Sequence, residues 1–168
     1  KVCKSARDNG AEVKAYILLK PPYLGEKDAI EDAVQSAIDA APHVDKISIN
    51  PVNVQKNTVV EKLWMRNEWT APWLWSVVEV IERCKDLPVR VYSDPTGGGT
   101  KRGAHNCHLC NNKILDELKK HRLGQGNLSG LSCECKQRWE AVKNQSSLRR
   151  NASEPYGFRN GFNNGRRF

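Results

Sequence analysis

Glu12-Val13-Lys14-Ala15-Tyr16-Ile17-Leu18-Leu19 is the stretch on which the fold turns. Its near-continuous apolar run predicts a strand buried on both faces, the pattern of a parallel sheet covered by helices. Pro21 and Pro22 end the strand, because neither can donate to a ladder. Upstream, Lys1 to Asn9 reads as the end of a helix, stopped by Gly10 where a positive φ is easy. Downstream, Ile30, Ala33, Val34, Ala37, Ile38 and Ala41 recur at three- and four-residue steps. They predict an amphipathic helix over 26–41, with Glu26, Asp28, Glu31 and Asp32 placed where the helix dipole favours negative charge.

The same alternation continues along the chain. Lys46 to Asn50 predicts a second strand and Thr58 to Arg66 a short helix. Thr70 near the cap and Pro72 in the first turn predict another helix, which turns Leu74, Val77, Val78, Ile81 and Cys84 to the core. Val89 to Tyr92 predicts a third strand. Strands alternating with helices imply parallel βα units with right-handed crossovers. Helices are further expected over 113–122 and 136–144. The expected organisation is a βα portion at 1–95, a Cys-rich metal-binding domain at 96–144 and a basic disordered tail at 145–168. That tail holds Arg149, Arg150, Arg159, Arg166 and Arg167 against the single acid Glu154, with almost no aliphatic residues.

The 168 residues suffice for one sizeable core, and a formal net charge of +8 favours an anionic partner such as nucleic acid. No apolar run approaches the ~18–20 residues a bilayer span needs, and Lys1 to Lys14 has no apolar signal-peptide core. No membrane association and a cytoplasmic location are therefore expected. The only methionine is Met65, so the chain is expected not to begin at its own initiator residue.

Four of the six cysteines fall in two tight pairs, Cys107-x-x-Cys110 and Cys133-x-Cys135. A C-x-x-C turn sets two thiolates on one cation, and a second pair can close a tetrahedron. Structural zinc is the expected occupant. Four thiolates also suit an iron–sulfur cluster, and His105 or His108 could replace a thiolate. Cys3 and Cys84 are expected to be buried thiols, and Asp94 and Glu134 are further candidate acids or bases. The Gly97-Gly98-Gly99-Thr100-Lys101-Arg102 loop could cradle phosphate with backbone amides, or serve as a plain connector. Lys20-Pro21 and Asn50, Asn53 and Gln55 follow strands, where ligands sit in parallel α/β folds. The three amides could read an adenosyl group, although Asn-Pro is equally a turn starter. Trp64, Trp69, Trp73 and Trp75 near Lys62 and Arg66 either pack at a domain edge or stack on RNA bases.

Several runs carry a resemblance. They are 15–22, 47–55, 58–64 with Trp69, Pro72-Trp73-Leu74-Trp75, Asp94-Pro95-Thr96-Gly97-Gly98-Gly99, His105-Asn106-Cys107-His108-Leu109-Cys110 and Cys133-Glu134-Cys135-Lys136. Together they resemble the C-terminal portion of radical S-adenosylmethionine (SAM) enzymes of the archaeosine tRNA-modification type, relatives of the Elongator catalytic-subunit group. The similarity covers roughly residues 10–143. It implies the later βα units of a partial TIM-type barrel. It also implies a carbon–nitrogen lyase that forms archaeosine from a lysine-modified 7-deazaguanine in the tRNA D-loop, using SAM and a [4Fe-4S] cluster. The implied partners are tRNA and a lysine-transferring subunit; either another chain supplies the first half of the barrel or these residues are a fragment of a longer polypeptide. Lys20, Pro21, Asn50, Asn53 and Gln55 would then face the cofactor. The C-x-x-x-C-x-x-C loop that binds such a cluster is absent from these 168 residues, so this chain alone is expected not to cleave SAM. The alternative is a non-catalytic, zinc-stabilised tRNA-binding module.

Overall fold

A computed structural model of the chain describes residues 2–150. The element order is α1 (Val2–Asp8), β1 (Lys14–Leu19), α2 (Glu26–Ala40), β2 (Lys46–Pro51), α3 (Val59–Met65), α4 (Leu74–Arg83), β3 (Arg90–Ser93), α5 (Asn111–Arg122) and α6 (Cys135–Arg150). The strands form one parallel sheet in chain order β1-β2-β3, with Ile17 opposite Ile49 and Ile47 opposite Val91. This is the expected succession of parallel βα units.

Helices cover one face of the sheet. Ile17, Leu19, Ile47, Ile49 and Val91 meet Ile30, Ala33 and Ala37 of α2 and Leu74, Val77 and Ile81 of α4 in one buried cluster. Each large aliphatic buried there contributes about 1.5–3 kcal/mol. The same cluster runs on through Ala104, Cys110, Ile114, Leu118, Leu131, Cys135 and Trp139, so the Cys-rich segment shares the core of the βα units.

The sheet corrects the expectation for β1. Its burial alternates, and Tyr16 and Leu18 stand 64% and 57% exposed. Side chains in a strand point to opposite faces by turns, and the covering helices lie on one of them. Across the register Tyr16, Ser48 and Tyr92 are neighbours on the other face, where Lys14 Nζ sits 4.3 Å from the Tyr16 ring centre and 5.0 Å from that of Tyr92.

Other departures are local. Ile38 is exposed, and α2 gives way to a 3-10 turn at Ala41–His43. Thr58, rather than opening α3, caps it by accepting from Glu61 N. Helix α4 begins after Thr70 and Pro72, with Trp73 at its cap; Thr70 Oγ1 instead accepts from Lys20 Nζ. Cys84 is buried as expected, but Cys3 is half-exposed on α1, which has no buried residue. Helix α6 continues to Arg150, past the expected start of a disordered tail. The rest of that expectation lies outside the described residues.

The N-terminus of α2 holds a buried ion pair. Glu26 lies in the first turn of α2, where the helix dipole favours it, as expected. There Glu26 Oε2 lies 2.6 Å from Lys20 Nζ, both side chains almost fully buried. Glu26 Oε1 accepts from Trp73 N at 2.9 Å and from Ser76 Oγ at 2.5 Å. Ser76 Oγ in turn accepts from Trp139 Nε1 at 2.8 Å. One carboxylate therefore ties β1, α2, α4 and α6 together. Lys20 carries a left-handed φ of 61°, a conformation that costs a side-chain-bearing residue about 1–2 kcal/mol; the ion pair holds it there.

Candidate metal centre and strand-tip cavity

The two cysteine pairs come together because each rides on a helix start. Cys107 and Cys110 form the turn that leads into α5, with Cys110 N donating to Cys107 O. Cys133 and Cys135 enter α6 in the same manner, Lys136 N donating to Cys133 O. Cys107 Sγ lies 3.6 Å from both Cys110 Sγ and Cys133 Sγ, and Cys110 Sγ lies 3.5 Å from Cys135 Sγ. All four sulfurs fall within 4.8 Å of one another. A tetrahedron built on zinc–sulfur bonds of ~2.3 Å has edges of about 3.8 Å. The spacing thus fits a single four-coordinate ion. It leaves no room for the sulfide-bridged irons that would hold cluster ligands apart. Neither His105 nor His108 joins the set; His105 Nδ1 lies 2.9 Å from Gly103 O.

The thiols are chemically unequal. Burial raises the Cys107 thiol, but hydrogen bonds from Cys110, Cys133 and Cys135 outweigh it and bring it down to about 6. Cys110 is pushed well up, by burial first and then by its sulfur neighbours. Metal binding displaces the protons of whichever of these thiols still carry one. Trp75 Nε1, at 3.3 Å, donates to Cys135 Sγ, so α4 braces the centre from the sheet side. That contact joins residues 60 positions apart and has no sequence signature.

The carboxyl ends of the strands frame a separate cavity of about 330 Å³, lined by Leu18, Asn50, Pro51, Val52, Asn53, Asp94 and Thr96. Asn50 and Asn53 meet there. Asn50 Oδ1 accepts from Ser48 Oγ, Asn53 Nδ2 donates to Thr96 O, and Gln55 Nε2 donates to Asn53 Oδ1 at 2.6 Å. Lys20, Pro21 and Gln55 lie outside this lining. Lys20 is committed to Glu26, and the Pro21 carbonyl accepts from Leu24 N. Asp94 also pairs with Arg122 at 2.9 Å.

The Gly-rich loop spends amides on itself. Gly98 N donates to Pro95 O and Gly99 N to Ala104 O. A Cβ on Gly103 would stand 2.2 Å from Gly97 O and 2.7 Å from Gly97 C. Both are backbone atoms, so the loop must open to admit it. Gly103→Ala is expected to cost about 1–3 kcal/mol, seen as a lower urea midpoint in tryptophan-fluorescence unfolding. A midpoint equal to the unsubstituted chain would show that the two loop arms do not touch. The loop positions Arg102, which pairs with Glu61 at 2.5 Å and stands 5.1 Å over the Trp64 ring. Hydrogen bonds from Arg102 and the Asn57 amide hold the Glu61 carboxyl below its ordinary value.

Among the described residues no helix is long and apolar enough to cross a membrane. No family model matches the chain. Individual relatives do. The chain is 45% identical over 145 residues to archaeosine synthase subunit beta of Methanosarcina acetivorans, covering 83% of this chain and 41% of that protein. Against the protein of the same name from Thermococcus kodakarensis it is 44% identical over 138 residues, 79% of this chain and 43% of the relative. An uncharacterized protein of Methanocaldococcus jannaschii is 34% identical over 142 residues, 81% of this chain and 39% of its own length. The chain spans about two fifths of the length of the curated relatives it matches.

Proposed function

We propose, for a chain related to archaeosine synthase subunit beta over about four fifths of its length, that it serves archaeosine formation in tRNA as part of a radical SAM carbon–nitrogen lyase. The observation that carries this reading is 44–45% identity with two proteins of that name. On this reading the three βα units are the later part of a larger barrel-like sheet of the kind found near the Elongator catalytic subunit. Exposed Tyr16 and Leu18, on the sheet face opposite the helices, support it, since such side chains call for a further layer. Other proposed partners are the tRNA, a lysine-transferring subunit and the polypeptide that carries the first part of the barrel, all in the cytoplasm.

Within this chain the roles divide. Cys107, Cys110, Cys133 and Cys135 hold one structural zinc ion. Asn50 and Asn53 present amides to an adenosyl group in the strand-tip cavity, oriented by Ser48, Gln55 and Thr96. SAM at a [4Fe-4S] cluster supplies the hydrogen-abstracting chemistry when bound. The four clustered sulfurs are spaced for one ion and do not fit that cluster.

In cells carrying Cys110→Ser in this chain, mass analysis of tRNA nucleosides is expected to show archaeosine lost and a lysine-modified 7-deazaguanine accumulating. Unchanged archaeosine would overturn the reading. A second reading, a non-catalytic tRNA-binding module, draws on the four-sulfur spacing, which suits one structural ion. It predicts that SAM cleavage in a reconstituted mixture survives omission of this chain, whereas the first reading predicts its loss.

A further inference from the structure

A groove of about 790 Å³ opens between the end of α3, the segment leading into α4 and the loop at 101–106. Two indoles of the tryptophan cluster, Trp64 and Trp73, line it; the other two, Trp69 and Trp75, are buried. Lys101 and His105 stand on its rim side, and no acidic residue lines it among those described. Arg102 fixes Trp64 by lying over its ring while paired to Glu61, so this wall is set before any ligand arrives.

Asn106 adds an independent sign. It lines the groove and is 8% exposed. Its Oδ1 accepts from Trp75 N at 3.3 Å, which leaves Nδ2 as the other end of the amide. That buried Nδ2 has no hydrogen-bond partner. Buried donors in folded proteins are almost always paired; Nδ2 is closed to solvent as the groove stands, so an outside acceptor reaches it once the amide turns toward the groove.

We propose that this groove takes an unstacked base of an RNA strand. The base lies against Trp64 and Trp73, Asn106 Nδ2 turns outward to donate to an acceptor on the base edge, and Lys101 faces the adjoining phosphate. A flat π-faced ring with acceptors and an attached negative charge matches the lining on all three counts. The choice of an RNA strand over a free nucleotide rests on the tRNA reading above; the groove itself does not.

The test uses the full chain, metal-loaded, with a fluorescein-labelled single-stranded oligoribonucleotide that carries no 7-deazaguanine. Anisotropy is expected to show binding that Trp73→Leu and Lys101→Glu each weaken roughly tenfold or more. Lys101→Glu should also lower the slope of log affinity against log salt by about one. Affinity within twofold of the unsubstituted chain for both variants overturns the proposal, as does displacement of the oligonucleotide by an equal concentration of an acidic peptide. Should Trp73→Leu fail to fold, Lys101→Glu decides, since Lys101 is exposed. Failure here leaves the archaeosine reading standing, whereas unchanged archaeosine in cells would remove the reason for preferring an RNA strand and leave a groove for a nucleotide.

Discussion

Replacing Cys110 and Cys135 together with serine is expected to remove the bound metal and with it the cooperative fold of the C-terminal third of the described chain. Both residues are buried in the main core, at 4% and 7% exposure. A serine hydroxyl at either position is a poor zinc ligand and a buried polar group without a partner. Trp75 Nε1 loses its sulfur acceptor at the same time. Structural zinc sites contribute on the order of 10 kcal/mol in small metal-folded domains. Here the contribution is shared with a core that α5 and α6 already join through Ile114, Leu118 and Trp139. The measurements are metal content, expected to fall from about one zinc per chain to none, and helical circular dichroism before and after a chelator. The unsubstituted chain should lose helix signal on chelation, whereas the double variant should have lost it already. Full helix content and an unchanged urea midpoint in the metal-free variant would mean that the four sulfurs carry no structural load.

Glu26→Ala is the second large effect, expected to lower stability by about 3–5 kcal/mol. The substitution leaves the Lys20 ammonium charged in a site where its side chain is 7% exposed. It also strips an acceptor from Trp73 N and Ser76 Oγ. A double variant, Lys20→Met with Glu26→Gln, separates the two contributions. It removes both charges and keeps a carbonyl for Trp73 N and Ser76 Oγ, so most of the loss should be recovered. Urea unfolding followed by tryptophan emission reads both. Equal losses in the single and double variants would show that the charge pair itself, and not the hydrogen bonds or a stranded ammonium, holds this junction.

How much of this was legible beforehand differs by element. The stripe from Ile30 to Ala37 specified α2, because a 3.6-residue period is a property of the local chain. The Cys107–Cys110 turn was legible for the same reason: two thiolates three residues apart meet without help from the rest of the fold. Strand β1 was half legible. Its apolar run marked a strand, but Tyr16 and Leu18 stand in the same run as Ile17 and Leu19, and composition cannot say which face a helix will cover. The tryptophans were undecidable as a group. They split into buried Trp69 and Trp75 and groove-lining Trp64 and Trp73 through the packing of α4 and the 101–106 loop. Glu26 was legible as an acid in the first turn of α2, where the dipole favours it. Only the approach of Lys20, in a left-handed turn at the end of β1, made it a buried counterion.

From the sequence alone came the parallel βα succession, the thiolate pairs and the likeness to archaeosine-forming enzymes, all of which depend on residues near one another in the chain. Tertiary structure decided that the two expected thiolate pairs meet at the spacing of one ion, that Trp75 braces them, and that Asn106 ends with an unpaired donor beside two half-buried indoles. The physical reason is that local periodicity sets which way a side chain points on its own element, whereas burial and partner choice depend on contacts between segments tens of residues apart.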